Sequence, residues 1–181
     1  MKKESNVMYV IRLTVTLLAI CVAMAAALGA VNNITAPMIE QLRYEKTQAA
    51  VSAVLEGGGD AVDFPATANV TSVYQGANGY AVEVTPSGFG GAITMMVGVD
   101  NENNVTGISI ISHAETAGLG DVAAAKTSAG EAFRAQFVGL NGTVSVTKDG
   151  GQVEAITSAT ITSRAVCDGV NTALAVVAAM G

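Results

Sequence analysis

The sequence predicts an α+β protein: a single N-terminal transmembrane helix followed by an antiparallel-sheet domain with flanking helices. Three observations carry this. Nineteen consecutive residues, Leu13 to Val31, bear no charge, and at 1.5 Å per residue such a run spans roughly 28 Å, close to the thickness of a hydrocarbon core. Four stretches rich in branched residues then follow one another across short turn-forming segments, the pattern of an antiparallel meander. Finally Val166, Val170, Leu174 and Val177 recur at spacings of four and three, which places them on one face of a closing helix.

The apolar run is read as a retained span. Arg12 stands just before it, with Lys2 and Lys3 on the same side, so the positive flank predicts a cytoplasmic N-terminus, a single-pass anchor in the inner (cell) membrane and a domain on the extracytoplasmic side. Residues 13–31 would then contact membrane lipid. A cleaved signal peptide is the competing reading, because Ala25-Ala26-Ala27 offers a small-x-small site. Its h-region would be only about 7–15 residues, however, and the apolar character here continues past that site.

Beyond the span, Thr35 and Pro37 read as an N-cap and an early helical position, opening a second helix that runs to Leu55 and stops at Gly57-Gly58-Gly59. Asp60 to Ala68 reads as a loop. Strands are expected at Asn69–Tyr74, Tyr80–Val84, Ala92–Val99 and Val105–Ser112, with turns at Asn78-Gly79, Pro86-Ser87-Gly88 and Asp100–Asn103. One or two short helices should fill Asp121–Phe137. Thr143–Thr147 and Gln152–Ile156 should pair as a hairpin across Lys148–Gly151, and the last helix should run from about Thr162 to Met180. The resulting division is 1–31 for the N-terminal tip and span, 32–68 for a juxtamembrane helix and linker, and 69–181 for the folded domain.

Composition narrows the chemistry. The net charge is −6, and apart from the basic N-terminus the chain carries fourteen acids against six bases, so nucleic acid is not an expected partner. The two cysteines, Cys21 and Cys167, fall in a lipid span and a domain helix and are not expected to pair. One His and no Cys cluster leave no metal site, zinc or iron–sulfur. No nucleophile stands with a His base and no acid–base pair of carboxylates is recognisable, so no catalytic residues are assigned.

The stretch with most chemical promise is Thr157-Ser158-Ala159-Thr160-Ile161-Thr162-Ser163. A turn feeding a helix presents unpaired backbone N–H groups and the positive end of the helix dipole, and hydroxyls there would help to seat an anion. An ordinary Ser/Thr helix cap accounts for the same residues.

Glu154-Ala155-Ile156-Thr157-Ser158-Ala159-Thr160 resembles the D-x-x-(S/T)-G-A-T attachment motif of the FMN-binding domain family. Glu154 stands where that family usually has Asp, and Ser158 where it has Gly, a residue freer to take positive φ. His113-Ala114-Glu115-Thr116-Ala117-Gly118-Leu119-Gly120 is similar to the family's E-T-P-G-L-G loop, and Gly88-Phe89-Gly90-Gly91-Ala92-Ile93 to its G-(Y/F)-G-G-x-I region. The resemblance implies that FMN is joined to Thr160 by a phosphoester bond, installed by a flavin transferase that uses FAD and Mg2+. Thr157, Ser158, Ala159 and Thr162 would lie about the phosphate, and Glu115, Thr116, Gly118, Leu119 and Gly120 against the ring or ribityl chain. Within the family, the short chain and single span most resemble the G subunits of Rnf-type ion-translocating ferredoxin:NAD oxidoreductases. That likeness implies an electron-carrying redox subunit whose partners are the other membrane and peripheral subunits of the complex. Two rival readings stand beside it: a membrane-anchored extracytoplasmic binding or assembly protein without flavin, and a free-standing FMN electron donor to an exported reductase.

Overall fold

The structure, a computed structural model, describes residues 2–180, with side chains from residue 7 onward; the charges of Lys2 and Lys3 lie outside the described side chains. Two compact units emerge, Met1–Tyr44 and Glu45–Gly181.

In the first unit the chain is helical. Helix α1 spans Lys2–Val54, and among the described residues it is the one helix long and apolar enough to cross a membrane. Leu13, Leu17, Leu18, Ile20, Leu28 and Val31 are all exposed on it. The hydroxyls of Thr14 and Thr16 donate to the carbonyls of Val10 and Arg12 at 2.9 and 2.8 Å, which satisfies these polar groups within the apolar stretch. The expected helix start at Thr35–Pro37 is a misreading. Thr35 donates its hydroxyl to Val31 O at 2.9 Å, as an interior threonine does, and Pro37 lies inside the helix.

The second unit is built on five antiparallel strands in sequential order: β1 Asp60–Val62, β2 Val70–Gly76, β3 Gly79–Val84, β4 Thr94–Asp100 and β5 Val105–Ser112. The meander is therefore as predicted, with β1 added from a segment expected to be loop; it pairs Asp60 with Gln75 and Val62 with Val73. Both faces of the sheet are covered. Side chains alternate along a strand, so Met95, Val97 and Val99 of β4 enter the main core while Met96 points the other way. That second face receives Ala50, Val51, Val54 and Leu55 from the end of α1. Thr106 fixes the junction by donating to Val54 O at 2.7 Å, and Gly57 and Gly58, both at positive φ, turn the chain away.

The main core is closed by α2, Ser128–Ala135, and α3, Thr160–Met180. All four residues of the predicted α3 face, Val166, Val170, Leu174 and Val177, are buried. Thr127 caps α2, accepting from Gly130 N at 3.3 Å, and Phe133 and Phe137 meet edge to face with centroids 5.4 Å apart. The expected hairpin at 143–156 does not form. A single parallel bridge joins Val146 to Val153, with a 3-10 turn at Thr147–Asp149 between them. Side-chain amides take the place of a strand partner. Gln136 accepts from Glu154 N at 2.7 Å and donates to its carbonyl at 3.3 Å, and Asn171 holds Val144 in the same two-point manner at 2.7 and 2.8 Å.

Candidate functional site

The N-terminal end of α3 is prepared by an uncommon turn. Ala159 N donates to Ile156 O at 2.9 Å, and between them Ser158 takes φ 62°, the left-handed region that disfavours residues with a side chain. The turn delivers Thr160 as the first helical residue, two positions earlier than the periodicity predicts. The residue before it is Ala159, which has no side-chain acceptor, so the hydroxyl run does not supply the Ser/Thr cap of the ordinary reading. Ser163 is occupied elsewhere: fully buried, it accepts from Ile156 N and donates to Ala159 O, both at 3.0 Å. The turn is thereby locked, while the first N–H groups of α3 have no protein acceptor among the described residues.

A cavity of ≈310 Å³ opens beside this helix end. Ser158, Ala159, Thr160 and Thr162 line it from the helix side, and Glu115, Thr116, Leu119 and Gly120 from the loop that follows β5. Phe89 and Ile161 complete its wall. The remaining two predicted site residues, Thr157 and Gly118, line a separate cavity of ≈600 Å³ between α2 and the segment Glu154–Thr157.

Glu115 ties the walls together. Its carboxylate accepts from the hydroxyl of buried Thr162 at 2.6 Å and from Gly90 N at 3.0 Å, so one side chain joins the loop after β5, the 88–91 loop and α3. His113 orders the same loop, its Nδ1 accepting from Glu115 N at 3.2 Å. Gly120 leaves room at this crossing: a Cβ there would press on the Glu115 carboxylate and the Thr162 hydroxyl, and the Glu115–Thr162 bond would have to shift.

A cationic group approaches from the 3-10 turn at 147–149. Lys148 Nζ donates to Thr160 Oγ1 at 3.1 Å. Arg164, one turn along α3, binds both oxygens of Asp149 at 2.6 Å. The hydrogen-bonded Arg164 holds the Asp149 carboxyl below the usual carboxylate range, and the same pairing raises the Arg164 guanidinium. By contrast burial, aided by Asp168, pushes the Cys167 thiol up to about 12, which makes it an inert core residue.

Phe89 and Ile161 lie within motifs legible in the sequence but were not expected at the site, and Lys148 was not expected there at all. Phe89 carried a signal, being the aromatic of a glycine loop. Lys148 carried none, since only the tertiary fold brings it to Thr160. The donor set fits a phosphate ester: a hydroxyl to bear it, open helix N–H groups and an ammonium, with apolar Phe89, Leu119 and Ile161 beside it for a ring.

Comparison with known proteins identifies the family. The FMN-binding domain family matches residues 88–175. The chain is 32% identical over 185 residues to the G subunit of the ion-translocating oxidoreductase complex of Methanosarcina acetivorans, covering 93% of this chain and 94% of that one. It is 31% identical over 191 residues to the G subunit of the Na(+)-translocating ferredoxin:NAD(+) oxidoreductase complex of Acetobacterium woodii, covering 92% and 91%. For the G subunit of the proton-translocating ferredoxin:NAD(+) oxidoreductase complex of Clostridium ljungdahlii the identity is 30% over 183 residues, covering 96% and 95%. With such matches along nearly its whole length, the chain belongs to the G-subunit family of ion-translocating oxidoreductase complexes and contains that family's FMN-binding domain.

Proposed function

We propose that this chain is the electron-carrying flavoprotein subunit of a membrane-bound, ion-translocating ferredoxin:NAD oxidoreductase, and that FMN is attached to Thr160 through a phosphoester bond. The observation that carries the attachment is the placement of the Thr160 hydroxyl at an uncapped helix end, on the wall of a cavity and within reach of Lys148. Open N–H groups at the start of α3 would face the phosphate, with Ser158, Ala159 and Thr162 around it. Glu115 sets the distance between the two walls, and Thr116, Leu119 and Gly120 present the opposite surface. Thr157 and Gly118 act one layer back, shaping the turn and the loop.

When bound, the flavin supplies electron transfer; the protein's residues hold and orient it. A helix end contributes only about 0.3–2 kcal/mol toward an anion, far short of retaining a dilute cofactor by affinity, so a covalent ester makes retention independent of binding strength. A flavin transferase would install it from FAD, with Mg2+. Residues 13–31 would lie in the lipid of the bacterial inner membrane, with the N-terminus cytoplasmic and the FMN domain extracytoplasmic. The anchor would dock the chain to its membrane partners.

The test is flavin fluorescence of the denatured full-length chain after coexpression with a flavin transferase, wild type against Thr160→Ala. Fluorescence is expected in the wild type and none in T160A. A T160A chain as fluorescent as the wild type would overturn the attachment site. Copurification of the wild-type chain with the other subunits tests the assembly; a flavin-loaded chain that joins no complex would favour a free-standing donor.

A further inference from the structure

Two side-chain pairs tie the 3-10 turn Thr147–Asp149 to one face of α3. Lys148 reaches Thr160 Oγ1 at 3.1 Å, and Asp149 takes Arg164 through both carboxylate oxygens. Thr160 and Arg164 are four residues apart, hence neighbours on the helix surface. The second pair decides what the first can do. Asp149 is adjacent to Lys148 in sequence and is the carboxylate best placed to quench it, but Arg164 occupies both its oxygens. The same pairing commits the Nε edge of Arg164 to Asp149. Lys148 is exposed and, among the described residues, takes part in no ion pair.

We infer that Lys148 is the cationic residue of the flavin-attachment step, holding the Thr160 oxygen and stabilising the charge that develops on it, and afterwards standing beside the phosphodiester. The inference rests on the reading of Thr160 as the attachment residue. In that step Thr160 Oγ1 attacks the flavin-side phosphorus of FAD. The new P–O bond to Thr160 forms as the P–O bond to the bridging pyrophosphate oxygen breaks, AMP departs with that oxygen, and the hydroxyl proton passes to a base on the transferase or to water. Nothing is oxidised or reduced. A lysine ammonium cannot accept the proton, being a donor only. Its bond to a lone pair of Oγ1 directs the hydroxyl hydrogen elsewhere, and it strengthens as the oxygen becomes negative. Arg164 and Asp149 are the positioning pair: with its carboxylate turned to Arg164, Asp149 makes no hydrogen bond to this ammonium.

The test follows FAD- and Mg2+-dependent mass gain of the full chain in detergent, at saturating transferase, for wild type, Lys148→Met, Lys148→Arg and Lys126→Met. A donor to a reacting oxygen in a closed site is worth about 100- to 1000-fold; screening at this exposed position reduces the expectation to roughly tenfold. K148M should therefore slow the gain about tenfold, K148R should recover it to within about threefold, and K126M, which removes an exposed lysine elsewhere, should match the wild type. Thermal midpoints of all four should agree, since a structural role would lower that of K148M instead. Wild-type kinetics in K148M, with the label on Thr160, would overturn the inference while sparing the attachment site. A wild-type chain that gains no mass on Thr160 would overturn both. If K148M lost its fold, Lys148→Gln would be measured in its place under the same expectation.

Discussion

Ser158 offers a quantitative test of the turn that sets up the site. Its φ of 62° places a residue with a Cβ where glycine is at ease, at a cost of roughly 1–2 kcal/mol. Replacing it by glycine removes that strain but adds about 0.5–1 kcal/mol of unfolded-state entropy, leaving a net gain of about 0.5–1 kcal/mol. The folded unit Glu45–Gly181 should have an unfolding entropy near 0.3 kcal/mol/K, taking about 2.1 cal/mol/K per residue. Ser158→Gly should then raise the thermal midpoint by about 2–4 °C. Ser158 already adopts the glycine conformation, so S158G should also leave the rate of flavin attachment within about twofold of wild type. Ser158→Val, a β-branched residue poorly suited to this region, should lower the midpoint and slow attachment. Calorimetry of the full chain in detergent reads the first effect and intact mass the second. An S158G protein with an unchanged or lower midpoint would refute the strain argument; an S158V protein with wild-type attachment would show that the turn does not control Thr160.

Gln136→Ala removes both bonds that hold Glu154 and should cost about 1–2 kcal/mol in denaturant unfolding, with amide exchange at Glu154 accelerating ahead of that at Val166. Cys167 in the folded protein should resist alkylation at pH 8 and react fully once unfolded. Because its thiol is pushed up to about 12 from an ordinary 9.0, its contribution to stability is complete below about pH 9 and is lost as pH rises toward 12. Cys167→Ala, which removes the ionisable group, should flatten that part of the stability–pH curve measured by chemical denaturation.

Much of the fold was legible because periodicity and turn chemistry are local. The four β-rich stretches between Asn78-Gly79, Pro86-Ser87-Gly88 and Asp100–Asn103 formed the meander, and the α3 face was fixed by spacing alone. What failed was nonlocal. Gln152–Ile156 alternates like a strand, but its neighbour is the amide of Gln136, eighteen residues from Glu154, and no pattern in the segment announces that. β1 has only three residues, too few for an alternation to register between Gly57–Gly59 and Pro65. Thr35 and Pro37 have the chemistry of a helix start, yet a threonine can equally bond back to the preceding turn, as Thr35 does to Val31.

The candidate site divides the same way. The hydroxyl run and the Glu115–Gly120 loop are each an unbroken stretch of sequence, and eight of the ten residues expected there line the cavity beside Thr160. Thr157 and Gly118 line the other cavity, and the chain reverses at both places: Ser158, which follows Thr157, has φ 62°, and Gly118 itself has φ 74°. A reversal of that kind is invisible without coordinates. Lys148 belongs to a turn held by the backbone bonds Thr147 N to Val153 O and Asp149 N to Val146 O, so its approach to Thr160 is a tertiary fact.

Attachment at the Thr160 hydroxyl is tested most directly by the intact mass of the denatured chain, coexpressed with and without a flavin transferase, followed by peptide mapping. The predicted result is a gain of FMN less one water, confined to the peptide bearing Thr160 and dependent on the transferase. No gain in either case, or a gain carried by a different residue, would contradict it.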